Sequence, residues 1–111
     1  MLNTIVVTTA LPLGFSSFVT NVGVKDTTKD FTVVMADGPC SAAGVFTQSR
    51  FAGPSVVISR RNVADLSARA VVVISKNANV ATGDEGMRHA EEVTSSVASA
   101  LGLKSSEVLI A

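Results

Sequence analysis

The residues with the means to do chemistry are few, and one spacing stands out among them. Asn77 and Asn79 flank Ala78 in the run Asn77-Ala78-Asn79-Val80-Ala81-Thr82-Gly83, between a strongly apolar segment and an amphipathic one. A loop that leaves a strand's carboxyl end and feeds a helix is a common ligand position, because unpaired N–H groups point outward there. Asparagines two apart also hydrogen-bond the backbone on either side and brace such a loop. Local pattern leaves both readings open, ligand contact and bracing. His89 is the sole histidine, and with no second His or Cys nearby it makes no metal site. Cys40 follows Pro39 and has no base near it in sequence, so it reads as a half-buried structural thiol. Thr47, Ser49 and Arg50 have the spacing of a hydrogen-bonded turn, with no His, Lys or carboxylate close in sequence to activate either hydroxyl. Asp84 and Glu85 suit the positive end of a helix dipole, and Glu91 and Glu92 suit its solvated face. Read from its residues alone, the chain contains no complete catalytic constellation.

The elements that must hold these residues follow from hydrophobic patterning. Thr4 to Thr9 and Phe15 to Val22 read as extended segments, broken by Leu11-Pro12-Leu13-Gly14, and Val24 to Lys29 reads as a turn. Phe31 to Met35 is a buried strand that Asp37-Gly38-Pro39 should turn into a second one, Ala42 to Thr47, making a hairpin. Gly53-Pro54 opens another extended run, Ser55 to Ser59, after which Asn62 caps a short helix from Val63 to Ala68. Ala70 to Ser75 is apolar on both faces, as a strand between two layers should be. Thr82 and Glu85 have capping-box spacing, and Ala90, Val93, Val97, Ala98 and Leu101 form one helical stripe that Gly102 ends. After a polar turn at Lys104 to Ser106, Glu107-Val108-Leu109-Ile110-Ala111 reads as the opening of a buried strand.

Composition limits the class. The 111 residues suffice for one domain. They are 47% hydrophobic and 16% charged, against roughly a quarter charged in an ordinary soluble domain. So little charge predicts apolar faces that a partner covers. Phe is the only aromatic type, so the interior must be largely Val, Ile, Leu and Ala. Net charge is zero, which argues against nucleic acid and an anionic membrane as partners, and no apolar run approaches the roughly 18 residues of a membrane span. The lone cysteine fits a reducing cytoplasm. A final strand without a polar finish predicts that the polypeptide continues or that another chain lies against it. Left alone, that strand would expose an edge and an apolar face.

Three stretches together carry a resemblance. They are Gly44-Val45-Phe46-Thr47-Gln48-Ser49-Arg50-Phe51 with Pro54-Ser55-Val56-Val57 and Ser59-Arg60; Ala68-Arg69-Ala70-Val71-Val72-Val73 with Asn77 to Gly83; and Leu101-Gly102 through Val108-Leu109-Ile110-Ala111. From about Pro12 to Ala111 the chain resembles the N-terminal part of the ornithine acetyltransferase (glutamate N-acetyltransferase) family. The run Phe51 to Val57, with Val80, is more similar to the paralogues of antibiotic gene clusters than to the arginine-pathway enzymes.

The resemblance implies an α/β fold, a layered sandwich of mixed β-sheet with flanking helices, of the N-terminal nucleophile hydrolase type. Residues 1–111 would form one α-chain fragment of a larger two-chain domain. It implies a precursor that cuts itself, a partner β chain whose new N-terminal Thr is the nucleophile, and an α2β2 or larger assembly. It implies acyl transfer from N-acetylornithine to glutamate through an acyl-enzyme, with no metal or organic cofactor. In the family a Ser-Thr-Gly motif follows Leu-Ile-Ala, and its Thr-Gly pair helps form an oxyanion hole. This sequence stops short of that motif, so no catalytic residue of the family transfers to it. Two origins fit an end at Ala111: breakage of a precursor there, or a gene split there. The parts expected nearest an active site are Asn77, Asn79 and Ala111. Rival readings are an amidohydrolase that discharges the same acyl-enzyme to water, and a non-catalytic assembly module.

Overall fold

The computed structural model describes residues 11–21, 30–74 and 83–111. Four strands form one mixed sheet in the order β1-β2-β3-β4. They are β1 (Phe15–Thr20), β2 (Phe31–Ser41), β3 (Ser67–Ile74) and β4 (Val108–Ile110). The first three pair antiparallel, and β3 and β4 run parallel. Two helices complete the fold, α1 (Pro54–Asn62) and α2 (Gly83–Leu101). The layered mixed-sheet architecture is the expected one.

Alternation along the strands builds the core. Phe31 and Val33 of β2, Ala70 and Val72 of β3, and Val108 and Ile110 of β4 point to one face. There they meet Ile58 of α1 and Ala90, Val97 and Ala98 of α2. The α2 stripe is the one its periodicity predicts, and Gly102 ends the helix with a φ of 70°. That left-handed residue lets the Leu103 N–H turn back to the Ala98 carbonyl at 2.8 Å. The other face carries Val34, Val71, Val73 and Leu109 in register, all half-buried and none part of the core cluster.

Two expectations fail in instructive ways. Asp37-Gly38-Pro39 does not turn the chain: β2 runs through it with an irregularity between Met35, which faces Ala70, and Cys40, which faces Ala68. Proline has no N–H for the ladder, so it sits where pairing is broken. The bulge is braced by the Arg69 guanidinium, which donates from Nε and Nη2 to the Ala36 carbonyl at 3.3 and 3.1 Å. Ala42 to Thr47, read as the second arm of a hairpin, is irregular, and the partners of β2 are β1 and β3.

Ser55 to Ser59 is helix, and Val63 to Ala68 is not. Its Ser-Val-Val-Ile-Ser sequence favours a strand locally, but Pro54 in the first turn and Arg60 and Arg61 in the last suit a helix. The deciding stripe is Ser55, Ile58, Ser59 and Asn62, at helical spacing on one face. Three of its four members are polar, so it carries little hydrophobic signal. Asn62 ends α1 where the sequence suggested it would begin a helix. The strand expected at Thr4 to Thr9, the turn at Val24 to Lys29 and the Thr82 cap lie outside the described residues.

Candidate functional site

Two clefts meet at the carboxyl ends of the parallel pair β3 and β4, while another, of about 300 Å³, lies between β1, β2 and α2. Crevices at such ends are the usual ligand positions of α/β sheets. Ala111 continues the ladder one residue past β4: its N–H donates to the Val72 carbonyl at 2.8 Å and its carbonyl accepts from the Ile74 N–H at 2.9 Å. Its backbone is therefore fixed while the residue itself is exposed.

Two depressions meet there. The first, of about 100 Å³, is lined by Ser55, Ile74, His89, Ala90, Val93, Ile110 and Ala111. The second, of about 340 Å³, lies between the 44–46 segment, α1 and β4, and shares Ser55, Ile110 and Ala111 with the first. Ser55 and His89 are the polar side chains of the smaller cleft; among the described residues no hydrogen bond joins them, and no carboxylate lines the cleft. That is a hydroxyl and an imidazole at the rim of an apolar slot, with no acid–base pair assembled. Nor do the described residues hold any group of three or more metal-ligating side chains.

α1 does most to position this end. The Ser59 hydroxyl donates to the Ile110 carbonyl at 2.7 Å and accepts from the Ile110 N–H at 2.9 Å. Asn62 Nδ2 donates to the Val108 carbonyl at 2.9 Å and to the Ser105 carbonyl at 3.2 Å. The Ile110 N–H and carbonyl and the Val108 carbonyl thus meet side chains of α1, and the Val108 N–H meets the Ser105 carbonyl, which corrects the expectation of an open edge. α1 is tethered in turn. Arg60 donates from Nη2 to the Thr47 carbonyl and lies 5.7 Å from the centre of the Phe46 ring. Arg61 pairs with Glu91 of α2 at 2.8 Å, so Glu91 does more than solvate its helix.

Of the residues singled out in the sequence, Ala111 lines both depressions, and Asn77 and Asn79 lie outside the described residues. Cys40 is structural, its Sγ–H donating to the Ala68 carbonyl at 3.1 Å. Thr47 Oγ1 accepts from the Ser49 N–H and Ser49 Oγ from the Phe51 N–H, at 3.2 and 3.1 Å. Both hydroxyls serve local turns, as their spacing suggested. Sequence reasoning missed Ser55 and Ser59 at this end, and read as a helix cap the Asn62 that holds the opposite end of β4. The signal available was their common helical face below a Gly-Pro start.

Comparison with known proteins gives a consistent picture. The ArgJ family model matches residues 16–111. The chain is 52% identical over 100 residues to the arginine biosynthesis bifunctional protein ArgJ 2 of Nostoc sp., covering 90% of this chain and 26% of that one. It is 54% identical over 101 residues to the glutamate N-acetyltransferase Oat2 of Streptomyces clavuligerus, with the same coverage. It spans about a quarter of the length of these relatives. Among solved structures it superposes on the ornithine acetyltransferase of Mycobacterium tuberculosis, complexed with ornithine, with a TM-score of 0.85 and 29% identity. That match covers 89% of this chain and 55% of the other. The ArgJ protein of Bacillus halodurans matches with a TM-score of 0.84 and 25% identity, over 88% of this chain and 52% of that one.

Proposed function

This chain belongs to the ArgJ family, and we propose that it forms one wall of the acyl-transfer site of an ornithine-acetyltransferase-type enzyme. In that reading a Thr or Ser hydroxyl on a partner β chain attacks the amide carbonyl of an N-acetylornithine-like donor. The C–N bond breaks, the free amine leaves with the hydroxyl's proton, and an acyl ester remains on the enzyme. The amine of glutamate then attacks the ester, takes the acyl group and returns the hydroxyl. The chain's part is to hold the β3–β4 end, with Ala111 at the junction of the two clefts, against the reacting atoms. Asn77 and Asn79 belong to the same reading, as residues near that site. So do self-cleavage of a precursor, an α2β2 or larger assembly, and a cytoplasmic setting. Among the described residues no helix is long and apolar enough to cross a membrane.

The observation that carries the proposal is the family match across residues 16–111, reinforced by similarity to a structure complexed with ornithine. The half-buried Val34, Val71, Val73 and Leu109, outside the core cluster, and the exposed Val45 and Phe51, at 99% and 76% exposure, support a partner that covers them. The test is acetyl transfer by the purified native complex, from labelled N-acetylornithine to glutamate, with intact masses and N-terminal sequencing of every chain. Label on glutamate and a second chain starting with Thr or Ser are expected. Free acetate in place of acetylglutamate would indicate the amidohydrolase. A lone species of 111 residues without turnover would indicate the non-catalytic module and overturn the proposal.

A further inference from the structure

The outer side of β4 is held by side chains of α1. β2 and β3 each have a strand on both sides. β4 has β3 on one side, and on the other the side chains of Ser59 and Asn62, which are 5% and 7% exposed. A serine hydroxyl has one donor and two acceptor positions, so it can grip the N–H and the carbonyl of a single residue at once. Ser59 does this to Ile110, the residue before Ala111. Asn62 grips the start of the strand, at Val108.

We propose that Ser59 is a positioning residue for acyl transfer: through Ile110 it sets where the Ala111 end of β4 lies relative to the reacting atoms. The inference rests on the function proposed above and adds a residue to it. Its physical basis is rigidity. α1 is anchored in the core by Ile58, 0% exposed, one residue before Ser59, so it carries the serine on a packed helix. Alanine at 59 would leave both backbone groups of Ile110 without partners in a buried place, and the strand end would shift to find them.

The experiment uses the complete enzyme with all its chains. Ser59→Ala, Ser59→Thr, Ser59→Cys and Asn62→Ala are compared by Tm and by kcat and KM for acetyl transfer from N-acetylornithine to glutamate. Ser59→Ala is expected to lower kcat roughly tenfold to a hundredfold, with KM within about twofold of wild type. Ser59→Thr keeps the hydroxyl and is expected to restore most of kcat. Asn62→Ala, at the far end of the strand, is expected to lower Tm comparably while kcat stays within about threefold. If Ser59→Ala does not assemble, Ser59→Cys replaces it, because a thiol fills the space but hydrogen-bonds weakly. The inference is overturned if the alanine or cysteine variant keeps kcat within about twofold of wild type, or if Asn62→Ala lowers kcat as much as Ser59→Ala. A wild-type complex that transfers no acetyl group overturns the functional reading itself, a different result from an active wild type indifferent to Ser59.

Discussion

The outer edge of β4 and the sheet face opposite the core are treated in opposite ways. At the edge, the exposed groups are polar backbone atoms that need partners at fixed distances. The chain supplies these itself, from Ser59 and Asn62. On the face, the exposed groups are the side chains of Val34, Val71, Val73 and Leu109, half-buried and outside the core cluster. Apolar contact is not directional, so any well-shaped layer can cover that face. A strand that must sit accurately is fixed locally by hydrogen bonds, while a face that must only be buried can be left to the rest of the assembly.

The sharpest way to break this contrast is Val73→Asp in the complete protein. If the face is covered, a buried unpaired carboxylate should cost about 4 kcal/mol or prevent assembly. Size-exclusion chromatography with denaturant unfolding reads this, and a change within about 0.5 kcal/mol would mean that the face is free. Ile58→Ala comes next. Ile58 is 0% exposed between α1 and the sheet, and its truncation should cost about 3 kcal/mol by equilibrium unfolding. A much smaller loss would mean that α1 is not anchored through the core, and that its grip on β4 rests on the hydrogen bonds alone.

Leu66→Gly tests the turn that brings the chain from α1 back to β3. Leu66 has a φ of 60°, a conformation unfavourable for a residue with a Cβ, and glycine there should gain about 0.5 kcal/mol in thermal unfolding. Destabilisation instead would show that the leucine side chain is packed in the assembly, although it is 64% exposed in this chain. The smallest effect is expected from Arg61→Ala. Its pair with Glu91 is exposed, with side-chain exposures of 57% and 37%, so its loss should cost no more than about 0.5 kcal/mol and vanish at high salt. A larger, salt-insensitive loss would make the α1–α2 tether part of the clasp on β4.

Much of the architecture could be read locally, because its signals lie in periodicity. α2 shows an apolar stripe every three to four residues, β3 ends in the β-branched run Val71 to Ile74, and β4 follows a polar turn. The family was equally readable, from three separated motifs in one order, and the match over residues 16–111 agrees. Ala111 lines both clefts; its nearness to reacting atoms is part of the functional proposal and not of the fold.

What the sequence could not decide are the places where a residue's role depends on a distant partner. Val56-Val57-Ile58 favours a strand by itself, yet it is helical because only a helix puts Ile58 in the core and Ser59 and Asn62 on β4. Asp37-Gly38-Pro39 reads as a turn, yet the chain passes through it as a bulge because β3 continues alongside and Arg69 takes up the Ala36 carbonyl. Local pattern determined which segments are apolar and how long each element can be. Tertiary structure decided which polar side chains act, because the Ser59 and Ile110 that meet at 2.7 Å are 51 positions apart in the chain.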